Sequence, residues 1–142
     1  MDYGIVIEKI HQELKAYWGK GKVADYIPAL AGVEPKRYGI AIETLDGHSF
    51  QVGDADIRFS IQSISKVFAL AMVTRHLGDR IWKFVGREPS GNPFNSLVQL
   101  EYEHGIPRNP FINAGALVVT DRLMSLYEQP KDAILQFVRS IC

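Results

Sequence analysis

Residues 38–52 read YGIAIETLDGHSFQV, and this stretch decides the class of fold. Its two runs, Tyr38–Leu45 and His48–Val52, are rich in β-branched and aromatic residues, a composition typical of strands. Asp46-Gly47 between them predicts a two-residue hairpin turn, because Asp and Gly both accept a positive φ. Two strands alone bury too little surface to be stable, so the hairpin needs helices or further strands packed against it.

Helical periodicity flanks the hairpin on both sides. Before it, apolar residues three and four positions apart predict a helix over Ile5–Tyr17 that ends at Gly19. After it, Ser60 is expected to cap a helix whose apolar stripe runs from Ile64 to Met72. Further helical segments are expected at Ile81–Val85, at Asn113–Tyr127 and from Pro130 onward, with loops rich in Pro, Gly and Asn between them. The expected fold class is therefore α/β of the α+β kind, an antiparallel sheet flanked by helices.

Composition excludes several classes of function. The 142-residue chain has 16 basic and 16 acidic residues, so it offers no surplus of cations to a phosphate backbone and nucleic acid is not an expected partner. No apolar run approaches the ~20 residues that cross a bilayer, so no membrane association is expected. The N-terminus lacks the segments of a secretory signal, and the single cysteine, Cys142, favours a reducing cytoplasm. The four histidines lack metal-ligand spacing, so no metal site is expected.

Ser63-Ile64-Ser65-Lys66 is the first candidate for chemistry. Residues three apart share a helix face, so the Lys66 amine is expected to reach the Ser63 hydroxyl and remove its proton. The unpaired N–H groups at the start of a helix favour a developing oxyanion nearby. The motif is short and both residue types are common, which leaves an alternative. Ser63 would then be an ordinary first-turn serine and Lys66 a solvated charge.

Five stretches of the sequence match one known family in the same order. They are GKVADYIPAL at residues 21–30, FSIQSISKV at 59–67, VGREPSG at 85–91, PFNSLVQLE at 93–101 and GIPRNPFINAGA at 105–116. The chain resembles the serine-dependent glutaminases over nearly its whole length from about residue 5. The resemblance implies a β-lactamase-like fold with a helical subdomain. Residues 1–142 would form the N-terminal portion of a single domain, with the helix, hairpin and nucleophile helix in 1–77 and the helical subdomain in 78–142.

The resemblance also implies the activity and the site residues. Glutaminases of this kind hydrolyse L-glutamine to L-glutamate and ammonia without a metal or organic cofactor. Ser63 would be the nucleophile and one oxyanion donor, Lys66 would help remove its proton, and Asn113, Gln62 and Tyr26 would bind substrate. Each of the last three has a structural alternative: Asn113 as a helix N-cap, Gln62 as a solvent-facing residue and Tyr26 as a packed aromatic.

Several features predict that the domain is incomplete. Family members are about twice as long by this resemblance, and their other half would carry a glutamate, a second asparagine, two tyrosines and a second oxyanion donor. The last predicted helix has apolar residues on one face and no C-cap glycine. The chain alone is therefore expected to be inactive, and its open strand edges are expected to aggregate or to pair with a complementing polypeptide. The resemblance further implies a homotetramer.

Two other functions stay open at this point. One is a catalytically inactive fragment that serves only as an interaction module. The other is a penicillin-recognising serine hydrolase, which uses the same S-x-x-K arrangement. The long NPFINAGA segment, residues 109–116, argues against the second.

Overall fold

The computed structural model describes residues 2–96 and 98–141. The chain divides into two compact units, Met1–Phe59 and Ser60–Cys142. Within the described residues, no helix has both the length and the apolar character needed to cross a membrane. Cys142, which favoured a cytoplasmic location, lies outside the described residues. The division of one domain at residue 77 stays a prediction.

The first unit opens with helix α1, Tyr3–Leu14, which continues as a 3₁₀ turn over Lys15–Tyr17. The helix begins two residues before the predicted start because Asp2 caps it: the Asp2 carboxylate accepts from the Ile5 backbone N–H at 3.2 Å. Gly19 follows with φ +75° and ends the segment as expected.

Strands β1, Gly39–Glu43, and β2, Ser49–Gly53, pair antiparallel, with Ile40 opposite Val52 and Ile42 opposite Phe50. The predicted hairpin is confirmed. These four side chains are half-buried on one face of the sheet, and α1 packs on both strands. The Phe50 ring meets the Tyr3 ring of α1 edge-on at 5.9 Å.

The predicted two-residue turn is wrong, because a loop of three residues, 45–47, lies between Thr44 and His48, which are hydrogen-bonded to each other just beyond the strand ends. The Gly47 N–H donates to Thr44 O at 3.0 Å, and the Thr44 N–H donates to His48 O at 2.9 Å. A two-residue turn with Asp-Gly at its centre needs a positive φ at both central residues. Gly47 has φ +83°, but Asp46 does not have a positive φ, so the longer loop forms.

The second unit is helical. Its helices are α2 (Ser65–Leu77), α3 (Val98–Tyr102), α4 (Asn113–Leu126) and α5 (Pro130–Arg139), with a 3₁₀ segment over Gly78–Lys83. The core is formed by seven buried side chains from α2, the 3₁₀ region and α4: Ala69, Met72, Val73, Ile81, Val85, Val119 and Leu123. Ile134 and Phe137 of α5 pack against this core, and Pro130 occupies the first turn of α5 as predicted. Helix α3 was not predicted.

The start of α2 differs from the prediction. Ser60 does not cap it, because a 3₁₀ turn over Gln62–Ile64 comes first and α2 begins only at Ser65. Ile64 takes the N-cap position, where it offers no side-chain hydrogen bond. The hydroxyl that closes this turn belongs to Ser65, whose Oγ donates to Gln62 O at 2.7 Å.

Candidate active site

Lys66 joins the first turn of α2 to the first turn of α4. Its Nζ donates to Asn113 Oδ1 at 2.8 Å and to the Phe111 carbonyl oxygen at 2.9 Å. The Lys66 side chain is half-buried, so these two hydrogen bonds compete with fewer waters than they would on an open surface. Two residues that the sequence assigned to the site therefore lie in direct contact.

Asn113 does not act as an N-cap, and that alternative is wrong. It is the first residue of α4, whose N-cap is Ile112, and no side chain caps the helix. The Asn113 backbone N–H donates instead to Phe94 O at 2.8 Å. The Asn113 side chain accepts from Lys66 Nζ through Oδ1. Among the described residues, Asn113 Nδ2 donates to no acceptor.

Ser63 lies in the 3₁₀ turn just before α2, and its side chain is exposed. Within residues 2–96 and 98–141, no hydrogen bond joins Ser63 Oγ to Lys66 Nζ, whose partners are on α4 and the segment before it. The Ser63 backbone N–H also donates to no acceptor in this part of the chain. An exposed hydroxyl and an unpaired N–H donor on one residue are two groups that a serine acyl-transfer site can use.

Gln62 holds the backbone in an uncommon conformation directly before Ser63. Its φ is +39°, in the left-handed region that costs a residue with a β-carbon roughly 1 kcal/mol or more. The Gln62 carbonyl is fixed by the Ser65 hydroxyl at 2.7 Å. The Gln62 side chain is exposed, in keeping with either a substrate contact or the solvent-facing alternative. The positive φ of Gln62 was not expected, because it depends on the 3₁₀ turn that precedes α2, and that turn was not predicted.

Tyr26 belongs to the first compact unit. Its side chain is 81% exposed, so the alternative of a packed aromatic is wrong. It lies in a turn beside the ion pair of Lys22 and Asp25, whose charged atoms are 2.8 Å apart. Its place in a substrate pocket stays a prediction.

Two aromatic residues beside Lys66 were missed by sequence reasoning. The Phe94 ring centroid lies 5.9 Å from Lys66 Nζ, within the range of a cation–π contact. Phe111 contributes the carbonyl that accepts from Lys66. Both residues lie in the matching stretches quoted above, but a backbone carbonyl carries no side-chain signature. No group of three or more metal-ligating side chains occurs among the described residues.

Comparison with known proteins identifies the family. The family model described as Glutaminase matches residues 21–142. The chain belongs to the glutaminase family. The glutaminase of Marinomonas sp. (strain MWYL1) is 57% identical over 136 residues, covering 96% of this chain and 45% of that protein. The glutaminase of Ralstonia nicotianae is 55% identical over 141 residues, covering 99% and 46%. The chain thus spans about half the length of these curated relatives.

Solved structures agree with this family. A Bacillus glutaminase crystallised in 4.3 M NaCl superposes with a TM-score of 0.72 at 28% identity, covering 86% of this chain and 38% of that one. The protein called Mglu, in its tris and glutamate form, gives a TM-score of 0.66 at 42% identity, covering 79% and 27%. The expected β-lactamase-like fold of the glutaminases is confirmed, and this chain contains part of it.

Proposed function

We propose that the whole protein hydrolyses L-glutamine to L-glutamate and ammonia through an ester on Ser63. The observation that carries the proposal is the environment of Lys66, three residues after Ser63. Its amine is held by Asn113 Oδ1 and Phe111 O at 2.8 and 2.9 Å. Membership of the glutaminase family supports the substrate and the reaction.

The two acceptors prepare Lys66 for proton transfer. A neutral lysine amine has two N–H groups and one lone pair. When both N–H groups are occupied by Asn113 Oδ1 and Phe111 O, the lone pair remains, and in this proposal it accepts the Ser63 proton. A solvated lysine on a helix surface would have no such constraint, so this arrangement favours a role for Lys66 in the site over the structural alternative.

The reaction balances without any oxidant or cofactor. Ser63 Oγ attacks the side-chain amide carbon of glutamine, a C–O bond forms, and the Oγ proton moves to Lys66 Nζ. Lys66 then gives this proton to the amide nitrogen, the C–N bond breaks and ammonia leaves. Water attacks the ester, which releases glutamate and returns a proton to Ser63 Oγ.

The remaining groups bind substrate and stabilise charge. We assign the Ser63 N–H as a donor to the oxyanion and Asn113 Nδ2 as a donor to a carboxylate or carbonyl oxygen of the substrate. Gln62 and Tyr26 complete the proposed set of substrate contacts. The similar protein Mglu has been crystallised in a tris and glutamate form, and glutamate is the product of this reaction. A cytoplasmic homotetramer that needs no cofactor is part of the same proposal.

A graft tests the function. Residues 1–142 replace the matching segment of the Marinomonas glutaminase, and ammonia release from L-glutamine is measured. We expect turnover in the graft, none in Ser63→Ala, and full turnover in Ser60→Ala, a matched change at an exposed serine three residues earlier. The 142-residue chain alone is expected to release no ammonia.

Two results would contradict the proposal. One is a folded graft that does not hydrolyse glutamine. The other is turnover that survives Ser63→Ala, which would mean that the nucleophile is another group. Acylation of Ser63 by a β-lactam, with no hydrolysis of glutamine, would instead favour a penicillin-recognising enzyme.

A further inference from the structure

One peptide unit connects Lys66 to a residue that has no assigned role. The peptide between Phe111 and Ile112 points its carbonyl at Lys66 Nζ, 2.9 Å away. Its N–H, the Ile112 amide, donates to Asn109 Oδ1 at 3.0 Å. Because a trans peptide is planar and its C=O and N–H point in opposite directions, fixing one end fixes the other. Asn109 therefore orients the carbonyl that Lys66 binds.

Every polar atom of the Asn109 side chain is used. Oδ1 accepts from both the Phe111 and Ile112 backbone N–H groups, at 2.9 and 3.0 Å. Nδ2 donates to the Glu88 carbonyl at 3.0 Å. The side chain thus ties the segment before α4 to the loop that follows the 3₁₀ region, and its amide supplies both the acceptor and the donor.

The backbone around Asn109 is held as firmly as its side chain. The Glu88 N–H donates to Arg108 O at 2.9 Å, and the Gly86 N–H donates to Pro107 O at 2.7 Å. The Asn109 carbonyl lies against Gly115 of α4, so closely that a β-carbon at position 115 would come within 1.8 Å of it. These contacts hold Asn109 in place, so its side chain can fix the orientation of the Phe111–Ile112 peptide.

We propose that Asn109 is a positioning residue for Lys66, acting through the Phe111–Ile112 peptide. It touches neither Ser63 nor Lys66 and has no direct part in bond making. Without it the peptide can rotate, and Lys66 Nζ keeps Asn113 Oδ1 as its only fixed acceptor among the described residues. Any effect of Asn109 on turnover rests on the proposed role of Lys66 as a base. The effect of Asn109 on the position of the Lys66 amine does not depend on that role.

The test measures the Lys66 amine in the graft, by a readout that does not depend on catalysis. The lysines of the graft, including the eight of residues 1–142, compete for a trace of acetic anhydride, and the acetylation rate at each is read by peptide mass spectrometry. In the unchanged graft we expect Lys66 to react several-fold more slowly than Lys131, because its amine is held by two acceptors. Asn109→Ala should raise the Lys66 rate about fivefold, the effect of losing roughly one hydrogen bond.

Two further variants separate positioning from loosening of the fold. Asn109→Asp keeps the acceptor for the Ile112 N–H and replaces the donor to Glu88 with a charged oxygen, so the acetylation rate of Lys66 should not rise above its original value. Ser90→Ala removes a comparable turn contact, Ser90 Oγ with Asn92 O at 2.9 Å, and should leave Lys66 unchanged. Circular dichroism on each variant establishes that it is folded.

The outcomes are distinct. Slow Lys66 acetylation in folded Asn109→Ala would overturn the inference, and so would rapid acetylation in folded Asn109→Asp. If Asn109→Ala does not fold, rapid acetylation in folded Asn109→Asp still overturns the inference. A graft that fails to hydrolyse glutamine while these rates follow expectation would overturn the proposed function and leave the positioning role standing.

Discussion

Replacing Gly115 with alanine should destabilise the protein, against the usual trend in helices. Gly115 is the third residue of α4, and alanine at a helical position is normally about 1 kcal/mol more favourable than glycine. Here the added β-carbon would lie 1.8 Å from the Asn109 carbonyl oxygen and 2.8 Å from its carbonyl carbon. Real β-carbons do not approach closer than 3.0 Å, so the Asn109 backbone must move by about 1.2 Å, from 1.8 to 3.0 Å.

The clash should outweigh the helix propensity. Overpacking a tight site costs typically 1–3 kcal/mol, and the obstacle here is backbone rather than a flexible side chain. We expect a net loss of about 2 kcal/mol, which lowers the Tm of a chain of this size by roughly 8 °C. The displacement also pulls Asn109 away from Ile112, so the Ile112 amide should exchange with solvent faster.

The assay is thermal unfolding followed by circular dichroism, with Gly91→Ala as the matched control. A β-carbon at Gly91 meets nothing within 4 Å, and Gly91 has no positive φ. That variant should be unchanged or slightly stabilised. An equal or higher Tm in Gly115→Ala would refute the close approach of Asn109 to α4, and with it the account of how the site is held.

Three other outcomes are expected. Leu123→Ala in α4 should lower stability by about 2–5 kcal/mol, while Leu117→Ala in the same helix should change it little, because Leu123 is 1% and Leu117 68% exposed; equal denaturation midpoints would contradict the core described here. Gly53→Ala should destabilise the first unit by several kcal/mol, as its φ is +69° and a β-carbon would lie 2.3 Å from Tyr38 O; an unchanged urea midpoint would refute this. Lys66→Ala in the graft should reduce turnover by more than about 10², as expected for loss of a general base, and an unaltered pH–rate profile would count against that role.

Local signals in the sequence predicted most of the elements. The hairpin, α1, α4 and α5 follow from side-chain periodicity and from Pro130. The hairpin turn was wrong by one residue because the backbone angle at Asp46 depends on strand register as well as on residue type. The start of α2 was wrong for a related reason: Ser60 is a good capping residue, but the positive φ at Gln62 places a 3₁₀ turn between it and the helix.

The sequence predicted which residues belong to the candidate site better than it predicted the contacts between them. Ser63 and Lys66 were named from the S-x-x-K motif and then from the resemblance, Asn113 from the resemblance alone, and the structure places Lys66 against Asn113. The partner expected for Lys66 was Ser63, because residues three apart on a helix share a face. The acceptors in the structure come from residues more than forty positions later, and one of them is a backbone carbonyl. Such long-range contacts leave no trace in local spacing.

The central claim is that Ser63 carries the glutamyl group during turnover. The most direct measurement is acid quenching of the graft within its first turnovers on L-glutamine, followed by peptide mass mapping. The account predicts a glutamyl ester on the peptide that contains Ser63, absent from Ser63→Ala and longer-lived where Lys66 is replaced. An ester on any other residue, or steady ammonia release from Ser63→Ala, would contradict it.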